Sequence, residues 1–176
     1  VIANSKGRSK TGTLGLSWIG RQGFLGLAVS TLGNDYGLPP GAHLHEEESG
    51  TQESMDDEVF DDFVRIELAQ RRYDLTGEYR FKRGLFESAR GTLSHTDYEH
   101  REIELGDSTS IGTEFLNDGL DGRIVFDLVP VGLWAGVVGF QFSDTTFSAV
   151  GDESFIPETE KDALALFAMS RAESGS

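Results

Sequence analysis

The side chains best able to do chemistry lie close together in one segment. His43-Leu44-His45-Glu46-Glu47-Glu48 is followed by Asp56-Asp57-Glu58 and Asp61-Asp62. In an extended chain residues i and i+2 point the same way, so His43 and His45 can chelate one ion. Imidazole suits zinc, copper or nickel, and Glu46, Glu47 and Glu48 can complete a tetrahedral or larger ligand set. Residues 33–62 hold ten acidic groups and no basic ones, and such a field concentrates cations from a distance. No resident cofactor is expected. The same residues also suit a solvated acidic loop that resists aggregation and meets the divalent ions around surface lipopolysaccharide.

Other chemistry finds little footing. The 176 residues include no cysteine, which removes disulfide scaffolds, thiol catalysis and Cys-based metal modules. No nucleophile elbow, phosphate-binding glycine loop, H-E-x-x-H pair or dinucleotide fingerprint occurs, and the chain is not expected to be an enzyme. Lys plus Arg number 15 against 30 for Asp plus Glu, a formal net charge of −15. Such a polyanion repels nucleic acid, so no nucleic-acid partner is expected. Asn117-Asp118-Gly119-Leu120-Asp121-Gly122 lacks the spacing and terminal Glu of a calcium loop, and its composition predicts a turn.

The elements that must position the acidic segment are strands. Leu14, Leu16 and Trp18 alternate with Thr13, Gly15 and Ser17; Leu25, Leu27 and Val29 alternate with Gly26, Ala28 and Ser30. This period of two is that of a sheet. Val64, Ile66 and Leu68 alternate with Arg65, Glu67 and Ala69, but Tyr73, Leu75, Tyr79 and Phe81 have the opposite parity. A bulge near Gln70–Arg72 is the expected cause. Four further alternating or apolar segments follow, giving seven strands. The longest nearly apolar run, Leu128–Phe140, contains Pro130 and three glycines, and a spanning helix needs about 20 apolar residues.

Connections are expected to alternate between short (Gly20–Gly23, Lys82–Leu85, Val129–Leu133) and long (33–62, 101–112, 148–160). In an up-and-down sheet this places tight turns at one end and large polar loops at the other, as in outer-membrane barrels. The predicted polar face carries Arg65, Glu67, Arg90, Asp121, Arg123 and Asp127, which a small closed interior would bury at great cost. Aromatic residues (Trp18, Phe24, Tyr79, Phe81, Phe86, Trp134, Phe142) fall near strand ends on the apolar face, as an interfacial girdle would. The fold class expected is therefore all-β: an antiparallel, up-and-down transmembrane β-barrel, present as a partial barrel of about seven strands. An open edge in lipid costs several kcal/mol per unsatisfied backbone group, so a section of a larger barrel is expected. The alternative is a soluble secreted β-sandwich or barrel that serves as a binding module.

An ordered set of segments also resembles a known family. Tyr36-Gly37-Leu38-Pro39, Gln70-Arg71-Arg72-Tyr73-Asp74-Leu75 with Gly77-Glu78-Tyr79, and Thr96-Asp97-Tyr98-Glu99-His100 resemble the barrel of TonB-dependent outer-membrane receptors. Asn117-Asp118-Gly119, Trp134-Ala135-Gly136-Val137-Val138-Gly139 and Phe147-Ser148-Ala149-Val150-Gly151 are similar in kind. Together they span most of residues 12–170. The His- and acid-rich first large loop is most similar to that of the zinc-regulated receptors. The resemblance implies a bacterial outer-membrane location and uptake of a scarce metal ion or metal chelate such as a siderophore or haem. It implies a barrel of about 22 strands around a plug, of which residues 1–176 would be an early-to-middle section without the plug. Outer-membrane lipid would be one partner and TonB, reached through that plug, another. Under the same resemblance His95 is expected at headgroup level, and His100, nearer a loop, ranks behind His43 and His45 as a ligand.

Overall fold

A computed structural model describes residues 4–39, 63–106, 109–151 and 156–172. Seven strands form there: β1 (Gly7–Gly20), β2 (Gly23–Gly37), β3 (Phe63–Arg80), β4 (Phe86–Leu105), β5 (Thr109–Leu128), β6 (Trp134–Gly151) and β7 (Thr159–Ala172). They make one antiparallel up-and-down sheet in the order β1-β2-β3-β4-β5-β6-β7. No helix occurs among the described residues. Strands β4 and β5 reach 20 residues each, against about five or six in an ordinary globular sheet. The sheet is open, because β1 and β7 each pair on one side only.

Connections at one end are residues 21–22, 81–85 and 129–133. We call this the turn end. Glycines in the left-handed region make two of these turns possible, Gly84 at φ 117° and Gly132 at φ 62°. The opposite, loop end carries connections 38–62, 106–108 and 152–158. The expected long loop 101–112 is thus a correction: β4 and β5 continue through it to a three-residue link. Their ladder is held there by Arg101, whose Nε donates to Glu114 Oε1 at 2.6 Å. The β4–β5 ladder shifts register twice, at Phe86/Ser88 near the turn end and here, where Thr113 faces Glu102 and Ile111 faces Ile103, leaving Gly112 as the extra residue.

Two further expectations are overturned. No bulge interrupts Gln70–Arg72: Leu32, Thr31 and Ser30 face Gln70, Arg71 and Arg72 in step, and Tyr98, Asp97 and Thr96 do so from the other side. Nor is Asn117–Gly122 a turn. It lies in mid-β5, paired to Tyr98–Leu93 and Phe147–Phe142. Gly122 earns its place by packing: a Cβ there would lie 2.2 Å from the Phe142 ring, so the glycine gives an aromatic neighbour its floor.

Because the ladders shift register only near the two ends of β4–β5, each side chain between those points can be assigned to a face. One face carries Leu16, Leu27, Leu75 and Leu93 in one row and Ile124, Phe140 and Leu166 in the next, with Leu93 facing Gly122 and Ile124 facing Gly91. We call it the leucine face. The other carries Ser17, Gly26, Thr76, Thr92, Arg123, Gln141 and Ala165 in the neighbouring register; with Ser30, Ser94 and Ser143 it is the serine face. No second layer covers either. Among the described residues only Ile66 and Ala149 are buried hydrophobics.

Candidate functional site

Each face changes character halfway along the strands. On the turn half the leucine face is apolar and open: Leu16 is 77%, Trp18 70% and Leu166 79% exposed. On β3 this zone runs from Tyr73 to Phe81, about 27 Å of strand, the length a tilted strand needs to cross a hydrocarbon layer. Rings border it at the turn end. Tyr79 meets Phe81 edge-on at 5.1 Å, Phe81 lies 6.5 Å from Phe86, and Phe86 lies 4.9 Å from Phe126. At the far border Tyr73 stacks on His95 at 6.1 Å, and His95 Nδ1 lies 3.2 Å from the Gly119 carbonyl. Asp118 lies 3.5 Å from His95 Nε2, so the ring joins an apolar zone to a polar one, as expected of a headgroup-level residue.

Behind this zone the serine face is an ionic ladder. Arg72 Nε donates to both Asp74 oxygens at 2.9 and 3.0 Å, and its Nη2 donates to Ser94 Oγ at 2.9 Å. Ser94 in turn donates to Asp74 Oδ1 at 2.6 Å. Arg90 donates to Asp127 at 2.8 Å, and Asp127 also accepts from Ser88. Arg123 donates to Gln141 at 3.1 Å and stands over the Phe167 ring at 4.5 Å. The expected inward charges Arg90, Arg123 and Asp127 therefore pair across strands. Ser88 and Ser94 are buried whereas Trp18 and Leu16 are open. The cations Arg72 and Arg90 are 42% and 54% exposed, so pairing rather than burial holds this network.

On the loop half the pattern inverts. The leucine face there carries Arg8, Lys10, Asp35, Arg65, Glu67, Glu99, Arg101 and Glu114, and the ladders set Glu67 between Asp35 and Arg101. Arg65 pairs with Asp35, and Arg101 with Glu99 and Glu114. The hydrogen bond to Asp35 holds the Arg65 guanidinium above its ordinary pKa, and that to Glu114 does the same for Arg101. Arg65 and Glu67 were expected on the charged inner face; the unbroken ladder puts them on the leucine face instead.

The serine face of the loop half gathers Tyr36, Ile66, Leu68, Tyr98, His100, Phe115 and Phe147. Tyr36 faces Ile66, Leu68 faces His100, and His100 faces Phe115. Tyr98 Oη lies 3.3 Å from His100 Nδ1, and the Phe115 ring meets the imidazole edge-on at 5.3 Å. Burial, with Tyr36 nearby, pushes the Tyr98 hydroxyl above its ordinary pKa. His100 Nε2 and Asn117 Oδ1 are buried with no hydrogen-bond partner; the nearest carboxylate to that nitrogen, Glu102, is 4.0 Å away. Polar atoms set among rings in this way suit an amphipathic ligand. Asn4 closes the nearby corner, its side-chain amide donating to the carbonyls of Leu38 and Val64 at 2.8 Å each. The connection 38–62 therefore leaves and re-enters beside this cluster.

His43, His45, Glu46, Glu47 and Glu48 lie outside the described residues, and so does the chelate expected of them. Among the described residues no group of three or more His, Asp or Glu side chains has a metal-binding arrangement. His95 and His100 point to opposite faces, five residues apart on one strand, and are not brought together. Sequence reasoning missed Tyr36, Tyr98, Phe115 and Phe147 as a cluster. The alternation of Val64, Ile66 and Leu68 was the available signal, once continued without a bulge. No protein-family model matches the chain.

The ladder makes a thermodynamic prediction. Arg72→Ala and Ser94→Ala, measured singly and together by unfolding in micelles, should show a coupling of about 0.5–1 kcal/mol. The value is small because Arg72 is 42% exposed and solvent screens its charge. Additive effects of the two substitutions would contradict the network.

Proposed function

We propose that this chain is a section of the wall of an outer-membrane β-barrel transporter of the TonB-dependent kind, importing a scarce metal ion or metal chelate, zinc foremost. One observation carries the reading. In the same stretch of β3–β6 an uncovered apolar face backs onto a face of hydrogen-bonded charged and polar side chains. A water-soluble protein buries the first and exposes the second. A barrel in lipid does the reverse, with its lumen polar and its outside apolar. Each Leu or Phe left in water forgoes about 1.5–3 kcal/mol, a cost that lipid removes.

The inverted loop half supports the same reading. Beyond the hydrocarbon layer the outward side meets water and headgroups, and charge there is cheap. The inward side, around Tyr98 and His100, then forms an outer vestibule below the acidic connection. Cargo gathered by His43, His45 and the carboxylates of 46–48 would pass from that connection to the Tyr98–His100 cluster. No bond in the cargo needs to be made or broken, so the proposal assigns the chain no catalytic step. Release would depend on a plug moved by TonB.

Membrane residence is tested by flotation. The chain should float with lipid vesicles through an alkaline wash, and be monodisperse only in detergent. A monodisperse monomer in plain buffer would favour the soluble secreted binding module instead. Cargo is tested by zinc titration of the reconstituted chain. Disturbing even a neighbour of a metal ligand costs about 10–100-fold in affinity, so His43→Ala/His45→Ala should cost at least that. Equal affinity in both proteins would remove the pair from the site.

A further inference from the structure

The leucine face contains a groove whose place and charge suit one class of ligand. Trp18, Tyr79 and Ile124 wall it, and its floor is Gly77, Ala89 and Gly91. The small floor follows from the register, since Gly77 faces Gly91 directly and Gly91 faces Ile124. Its volume is about 440 Å³, and Arg21 lines its mouth at the turn end. The neighbouring turn holds Lys82 and Arg83. The two turns are tied together, the Arg80 amide donating to the Gln22 carbonyl at 2.6 Å and the Gln22 side chain returning to the Arg80 carbonyl at 3.3 Å. Arg21, Lys82 and Arg83 are exposed, and among the described residues they make no hydrogen bond or ion pair. Glu78 and Arg80 have the parity of the serine face and pair with each other at 2.8 Å. Arg21, Lys82 and Arg83 then stand against one nearby acid, Glu87. In a chain of net charge −15 this rim is positive.

We infer that the groove and its rim bind an anionic glycerophospholipid, one acyl chain lying over Gly77 and Gly91 and the phosphate held by Arg21, Lys82 and Arg83. The inference rests on the membrane reading above and adds a lipid class and a site to it. Three features make the fit. A side-chain-free floor admits a chain against the backbone. The groove runs within the apolar zone and opens where that zone ends, at headgroup depth. Guanidinium and ammonium groups beside an apolar surface meet a lipid phosphate while their stems stay in contact with the acyl layer. The neutral third turn, 129–133, has no such rim, so the preference should be local to the β1–β4 side.

Trp18 lines the groove and is one of two tryptophans in the chain, so it can report occupancy. With Trp134→Phe as background, the chain is reconstituted into vesicles containing bromine-labelled phosphatidylglycerol or, separately, bromine-labelled phosphatidylcholine. A lysine or arginine near an anionic headgroup contributes about 1 kcal/mol, so an apparent preference of about fivefold for phosphatidylglycerol is expected in the quenching of Trp18. Arg21→Gln/Lys82→Gln/Arg83→Gln should abolish the preference while phosphatidylcholine still quenches. Gly91→Leu, for which a Cβ has room with its nearest neighbour at 3.8 Å, should fill the floor and lower the preference with the cations intact. Equal quenching by the two lipids, or a preference that survives either set of substitutions, would overturn the site and leave the membrane reading standing. Quenching by neither lipid would overturn both.

Discussion

The unbroken hydrogen-bond ladder through β3 constrains everything else. It locks side-chain parity from Phe63 to Arg80, so Ile66 and Leu68 must lie on the face opposite Leu75. On the proposed reading, the change of apolar side at Gln70–Arg72 with no change of register in β3 is a response to the surroundings. Lipid would then lie outside one half of the strand and water outside the other. Two media along one rigid ribbon are what an interface supplies, and the Tyr73–His95 stack falls at the crossing.

The ladder also sets what the sheet lacks. An up-and-down order of seven strands makes β1 and β7 run in the same direction, both ending at the turn end. Pairing them with each other would give a parallel seam. An all-antiparallel wall needs at least one more strand between them. In lipid each unsatisfied edge group would cost several kcal/mol, so on the proposed reading these edges call for further strands beside them. The serine-face network, by contrast, is complete in itself. Arg72, Asp74 and Ser94 satisfy one another on adjacent strands, which lets this face stay polar without a further partner for these three side chains.

Much of this was legible in the sequence. Period-two alternation placed six strands and a run apolar on both faces, Ala163–Met169, the seventh; the short connections at Gly20–Gly23 and Val129–Leu133 were visible from glycine and proline. What was not legible traces to a single ambiguity. A parity change in sequence is the same whether the backbone bulges or the medium changes, and only pairing on both sides of Gln70–Arg72 decides. The misplacement of Arg65 and Glu67 followed from it, and so did the missed Tyr98–His100 cluster. Charge misled in a second way. Arg101, Glu102 and Glu104 looked like loop composition, yet all three are paired to β5, across one register shift. Asn117-Asp118-Gly119 looked like a turn for the same kind of reason: local propensity yields to the two strands that flank it.

The central claim is that the leucine face of the turn half meets hydrocarbon and the serine face meets water. The chain has no cysteine, so single cysteines can be placed along β3 and labelled with nitroxide after reconstitution in vesicles. Relaxation by dissolved oxygen reports lipid, and relaxation by a water-soluble nickel chelate reports water. The account predicts oxygen maxima at positions 73, 75, 77 and 79, nickel maxima at 74, 76 and 78, and no lipid signal at 64, 66 or 68. Low accessibility to both reagents at position 75, or oxygen maxima at 64, 66 and 68, would contradict it.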